Sequence, residues 1–182
     1  GSLIQLNGTI DNQEIVQTVL YTIENITYDS FYLSALVNLT NTSDTFNSSL
    51  GNGTDVAAEI AIGVLNTSAM EMARTTCNLE LKDGSLKLVF SNSTYPGPVS
   101  TAVVSSLEGT ITLIHNTSSG VINCTFGSDS VSGNDASFSN NTFGVGILSN
   151  FGYQGEANSS GEYFATADDF NLTYIVAEEE SI

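Results

Sequence analysis

Apolar side chains recur at every second position along much of the chain, the period of a strand with one face in a core and one in water. In FYLSALVNL, Phe31, Leu33, Ala35, Val37 and Leu39 share one face, while Tyr32, Ser34, Leu36 and Asn38 share the other. In GVINCTF, Ile122, Cys124 and Phe126 oppose Asn123. TTCNLELK sets Cys77, Leu79 and Leu81 against Asn78, Glu80 and Lys82. Asp83-Gly84 then signals a tight turn before Leu86, Leu88 and Phe90, which again share a face. Near the C-terminus, Phe170, Leu172, Tyr174 and Val176 oppose Asn171 and Thr173. Further strands are predicted at Glu14–Glu24, Val56–Leu65, Thr101–Leu107, Thr110–Ile114, Ala136–Leu148 and Glu162–Ala167. A helical pattern is confined to Asn66–Arg74, where Thr67 or Ser68 is a candidate N-cap. The most polar connection is Gly127–Asp135, GSDSVSGND. With two prolines, many β-branched residues and Gly/Ser/Asn-rich joints, the pattern predicts an all-β fold, an immunoglobulin-like or pilin-like β-sandwich.

The outward positions carry a second signal. Asn-x-Ser/Thr triplets, the acceptor pattern for N-linked sugar, begin at Asn7, Asn25, Asn38, Asn41, Asn47, Asn52, Asn66, Asn92, Asn116, Asn123, Asn140, Asn158 and Asn171. With 18 Asn and 44 Ser plus Thr in 182 residues, random placement gives about 4 such triplets. The excess of the 13 found points to a glycosylating secretory route and an extracellular protein carrying N-linked glycans. Where a triplet falls in an alternating segment, as at Asn38, Asn123 and Asn171, it lies opposite the apolar row.

Charge narrows the partners. Three cations, Arg74, Lys82 and Lys87, face 20 carboxylates, for a formal net charge of −17. Phosphate-backbone binding needs a basic surface, so nucleic acid is excluded as a partner, and anionic lipid headgroups are disfavoured. Charged residues make up only 13% of the chain, so hydroxyls, amides and sugars must supply its solubility. No apolar stretch is long enough for a membrane span, and no membrane insertion of the mature chain is expected. No secretory signal is present in the sequence, which is therefore read as mature, with Gly1-Ser2 either native or an expression remnant.

The search for reaction chemistry yields little. Cys77 and Cys124, both on inward faces, are expected to form one disulfide in an oxidising compartment. The single histidine, His115, abuts the triplet at Asn116 and reads as structural or surface-lying. Asp168-Asp169 and Glu178-Glu179-Glu180 are carboxylate runs whose spatial separation sequence does not give. Asp129, Ser130 and Asp135 lack the spacing of a calcium loop. No metal, cofactor or enzymatic activity is expected.

The first residues, GSLIQLNGTIDNQE, form a strand-like segment followed by a polar break. Such a terminal strand either pairs within its own sheet or completes the sheet of a neighbour. The single-domain length, the all-β pattern, the triplet density, the scarcity of Lys and Arg and the segment SLIQLNGTI together resemble the extracellular thread filament subunits of Sulfolobales archaea. The resemblance implies a homopolymer assembled head-to-tail, with residues 1–12 as a donor strand and 13–182 as one β-sandwich. Leu3, Ile4, Leu6 and Ile10 would then be donor residues for a groove on the next subunit. Ile4 and Leu6 share a face that Asn7 does not, and Ile10 needs a twist or bulge to join them. The alternative is a secreted glycosylated adhesin, surface-layer or viral glycoprotein domain that acts as a binding module.

Overall fold

A computed structural model describes residues 3–11, 15–24, 28–41, 58–66, 74–82, 85–92, 98–116, 119–134, 143–152 and 160–176. Among the described residues the chain forms twelve strands. In chain order they are β1 (Ile4–Asp11), β2 (Ile15–Glu24), β3 (Tyr28–Asn41), β4 (Ala58–Asn66), β5 (Arg74–Lys82) and β6 (Ser85–Ser91). β7 (Pro98–Val103), β8 (Glu108–Asn116), β9 (Val121–Phe126), β10 (Asp129–Asn134), β11 (Phe143–Gly152) and β12 (Ser160–Val176) complete the set. They form two six-stranded antiparallel sheets, the front in the order β1-β12-β3-β8-β9-β10 and the back in the order β2-β11-β4-β5-β6-β7. The fold is a β-sandwich.

The core is where the two inner faces meet. Leu33, Leu39, Ile111 and Leu113 from the front sheet, and Ile60, Ile62, Leu79, Leu88 and Phe90 from the back, are fully buried. Each such side chain contributes about 1.5–3 kcal/mol by leaving water. The faces of β3, β6 and β9 match the predicted alternation: Phe31, Leu33, Ala35, Val37 and Leu39 are all buried, as are Leu86, Leu88, Phe90, Ile122, Cys124 and Phe126. His115 lies among these inward side chains, buried, with its ring edge-on to Phe31 at 5.3 Å, so it is structural and not surface-lying.

Cys77 of β5 and Cys124 of β9 form a disulfide, with Cα atoms 5.6 Å apart, that ties the back sheet to the front. Nearby, a Cβ built on Gly133 of β10 would lie 2.1 Å from the Phe90 ring of β6. Only a residue without a side chain admits that ring, and this closeness sets the local spacing of the sheets.

Four expectations are corrected. The segment Gly127–Asp135 is not merely a polar connection, because Asp129–Asn134 is strand β10, paired with β9 from Asp129↔Phe126 onward. Gly127 takes φ +60° in the two-residue turn between them, a conformation open to glycine at little cost. Second, the strand expected over Thr101–Leu107 ends at Val103. Val104 is buried and its amide donates to the Leu86 carbonyl (3.1 Å), while the Leu107 carbonyl accepts from the Leu39 amide (2.9 Å), so this stretch carries the chain between sheets.

Third, Phe170 does not join Leu172 in the core; it is 37% exposed. Asp168 pairs with Leu36 and Asn171 with Ser34, so β12 advances three residues while β3 advances two. The extra residue is a bulge, and it flips the facing of everything beyond it. Before it, Ala165 and Ala167 point inward; after it, Leu172 does. Fourth, Asn78, expected in water, is 5% exposed. The turn at Asp83-Gly84, the pattern at 67–73 and the first part of Ala136–Leu148 lie outside the described residues.

Replacing both cysteines by alanine removes a cross-link spanning 47 residues and is expected to cost about 2–4 kcal/mol in urea unfolding. Gly133→Val, which forces a side chain into the Phe90 ring, is expected to lower stability by about 1–3 kcal/mol in the same measurement.

Candidate functional site

Two features of the front sheet distinguish it from a plain sandwich wall, its β1 edge and the bulge beside that edge. Among the described residues β1 is the outermost strand of the front sheet and has one sheet neighbour, β12, with which it forms eight residue pairs from Ile4↔Ala167 to Asp11↔Ser160. Leu6 is buried in the core, Ile4 is half-buried against it, and Leu3 and Gln5 are exposed. Thus Leu6 and Ile4 share the inward face, while the side chain of Ile10 lies outside the described residues. The strand is paired within its own chain, one of the two arrangements its sequence allows. β2, the next element, belongs to the other sheet, where ten residue pairs hold it to β11.

At the end of the β1–β12 pairing the bulge opens a groove of about 730 Å³, lined by Ile4, Ser34, Leu36, Thr110, Asp169, Phe170 and Asn171. Asp169 has φ 50°, a left-handed conformation in which a residue with a side chain is strained, and its amide donates to Asp168 Oδ1 at 2.8 Å. That turn of the backbone swings Phe170 outward beside Leu36, which is also 37% exposed. The groove therefore mixes apolar surface with hydroxyls and a carboxylate. No signal in the sequence marked Phe170 as a surface residue, since it continues an alternating row.

Five of the Asn-x-Ser/Thr acceptors have described side chains. Asn38, Asn116, Asn123 and Asn171 all sit on outward-facing positions of the front sheet. Asn116, Asn123 and Asn171 are exposed; Asn38 is half-buried and its Nδ2 donates to Glu108 Oε2 (3.1 Å). Asn116 Oδ1 accepts from the amide and the hydroxyl of Ser119 (3.0 and 3.1 Å). Asn92 follows β6, with its Nδ2 donating to the Asn134 carbonyl at 3.5 Å. Asn7, Asn41 and Asn66 lie in β1, β3 and β4, but their side chains are outside the described residues, as are Asn25, Asn47, Asn52, Asn140 and Asn158 altogether.

The outward positions of the back sheet differ. Glu59 and Asn78, on β4 and β5, are each 5% exposed, and Asn78 Nδ2 donates to Glu59 Oε1 at 3.0 Å. Asn78 Oδ1 is buried without a hydrogen-bond partner among the described residues. Glu80 stands opposite Lys87 across the β5–β6 pair. Among the described residues no group of three or more His, Cys, Asp or Glu side chains could hold a metal ion, and no helix is long and apolar enough to cross a membrane. Asp129 and Ser130 lie in β10, and Asp135 is outside the described residues.

No protein-family model matches the chain, and no curated protein matches its sequence. Solved structures do share its fold. The chain is similar to the carbohydrate recognition domain of Emp46p in its potassium-bound form, at TM-score 0.59 and 9% identity, over 96% of this chain and 89% of that one. It is similar to a legume lectin-like domain from Entamoeba histolytica, at TM-score 0.53 and 9% identity, over 95% and 84% of the two chains. It is also similar to the marine PL7 alginate lyase AlyA1 from Zobellia galactanivorans, at TM-score 0.53 and 12% identity, over 81% of this chain and 63% of the lyase. At these identities the likeness is one of fold, a two-sheet β-sandwich.

Asn78→Ala, which takes a hydrogen-bond donor from buried Glu59, is expected to cost about 1–3 kcal/mol in urea unfolding.

Proposed function

We propose that the chain is the structural subunit of an extracellular, N-glycosylated filament that polymerises head-to-tail by exchange of its N-terminal strand. In this reading β1 leaves the β12 of its own chain and forms the same pairs with β12 of the next copy. The observation that supports it is the position of β1, which among the described residues is an edge strand with a single sheet neighbour and still places Leu6 in the core. A strand held on one side detaches without dismantling the sheet, and its departure leaves β2 anchored in the other sheet by its pairs with β11. The vacated edge of β12 and the space left by Leu6 then require a replacement. A second copy supplies one with identical pairing, so the exchange is close to neutral in contact energy and is repeated without closure along a fibre.

The remaining features fit this role. Sugars on Asn38, Asn116, Asn123 and Asn171 would cover the front sheet's outer face and discourage lateral contact between filaments. The disulfide and the net charge of −17 suit a protein outside the cell that binds neither nucleic acid nor anionic membrane. In this reading the chain is not an enzyme, needs no cofactor beyond its N-linked glycans, and has copies of itself as its partner, as in the thread filaments that its sequence resembles. Adhesion or cell–cell contact is the corresponding task.

A second reading, a secreted carbohydrate-binding module, draws on the likeness in fold to a carbohydrate recognition domain over 96% of the chain. It is distinguished by binding of the discrete, unpolymerised chain to immobilised glycans.

Strand exchange is tested with the paired positions Gln5↔Thr166. Oxidised filaments of a Gln5→Cys, Thr166→Cys double variant are expected to run as a covalent ladder on a denaturing gel. A monomer band from intact filaments means that β1 stays in its own chain and ends the proposal. Removal of residues 1–10 is expected to abolish filaments seen by negative-stain microscopy.

A further inference from the structure

The groove at the bulge of β12 has an acceptor triplet on its own wall. Asn171 is exposed, lines the groove, and is followed two residues later by Thr173, which is exposed as well. The other walls are apolar at Ile4, Leu36 and Phe170 and polar at Ser34, Thr110 and Asp169. A pyranose ring has the same division, with C–H groups on its faces and hydroxyls around its edge. Three independent features converge here: the acceptor, the amphipathic walls, and a strained Asp169 that holds Phe170 outward where a core position was expected. We propose that the groove is the seat of the glycan carried by Asn171, and that the first sugar, lying across the bulge, clamps β1 to the front sheet.

The inference rests on the glycosylation part of the proposed function and not on filament formation. Attachment requires a lipid-phosphate-linked oligosaccharide and its transferase. The bond from the sugar's C1 to the donor phosphate oxygen breaks, a bond from C1 to Asn171 Nδ2 forms, one amide proton is released, and the lipid phosphate leaves. No oxidant or reductant is needed. Because Asn171 already borders the groove, the tethered ring enters it at high effective concentration and without a separate binding event. Inside, the ring covers Leu36 and Phe170, each 37% exposed, and places its hydroxyls near Ser34, Thr110 and Asp169.

The consequence falls on β1. Among the described residues its only sheet neighbour is β12, and Ile4, at the end of that pairing, is the groove's contribution from β1. A ring seated there touches β1, β12, β3 and β8 together, which gives the edge strand a second hold. Asn116 and Asn123, on β8 and β9, lie away from β1. The glycan at Asn171 therefore differs from these two in stabilising one particular strand against detachment.

The test is hydrogen exchange of the full-length protein made in a glycosylating host, with the occupancy of Asn171 read by glycopeptide mass spectrometry. Thr173→Ala removes the acceptor pattern at Asn171, and Ser118→Ala does the same at Asn116. Thr173→Ala is expected to speed exchange of the β1 amides by about tenfold, the effect of returning roughly half of the apolar area left by Leu36 and Phe170 to water. Ser118→Ala is expected to leave β1 unchanged. Phe170→Ser, with Asn171 still occupied, is expected to reproduce the faster exchange, which separates a seated glycan from one that merely shields. Equal β1 exchange in the parent, Thr173→Ala and Phe170→Ser overturns the proposal, as does a bare Asn171 while other acceptors are occupied. Bare asparagines at every acceptor overturn it together with the glycosylated reading, whereas absence of filaments bears only on the latter's assembly step.

Discussion

The inner faces of two sheets must be filled at the same time by the same set of side chains, and the rest of the molecule follows from that constraint. Each inward residue of one sheet needs a complement across the gap. Phe90 of β6 is accommodated because Gly133 of β10 has no side chain to meet it. Cys77 and Cys124 turn another point of the same interface into a covalent bond. Once these contacts set the spacing, the opposite face of each strand becomes the outer face of its sheet, and the described acceptors Asn38, Asn116, Asn123 and Asn171 lie on that face of the front sheet. A shift of one residue anywhere would exchange core for surface along an entire strand.

Such a shift occurs in β12 between Asp168 and Asn171, one of three register irregularities among the described strands. Of the seventeen residues of β12, Ser160–Val176, the stretch Ser160–Ala167 pairs with β1 and the pairing with β3 runs on across the extra residue. The extra residue between Asp168 and Asn171 resets the phase, so that Ala165, Ala167 and Leu172 all face the core. The cost is local: a left-handed Asp169 and a phenylalanine displaced into water. Asp tolerates that conformation better than most residues, because its short polar side chain bonds nearby backbone. Here its amide is held by Asp168 Oδ1.

How much of this could be read from the residues alone depended on whether the two faces of a strand differ. Phe31–Leu39 contrasts a wholly apolar row with a mixed one of Tyr32, Ser34, Leu36 and Asn38, and the inward facing of the first was legible. β10 was not, because DSVSGN offers a single apolar residue, Val131, and its strand character comes from pairing with β9. Asn78 had the outward parity expected of it, but burial on an outer face depends on what else covers that face, which no local pattern encodes. The bulge carried no glycine or proline to announce it. For that reason the groove, with Phe170 at its rim, was invisible in the sequence, although the asparagine on its wall was not.

The geometry of the β1–β12 pairing also bears on force. Tension applied along the axis of an edge strand loads all eight of its residue pairs in shear, so that they must fail together, whereas tension applied across the sheet would peel them one at a time. Toward the opposite edge of the front sheet, at β9, the Cys77–Cys124 bond keeps the two sheets from sliding apart. A chain built this way yields easily when pried from the side and resists when pulled lengthwise.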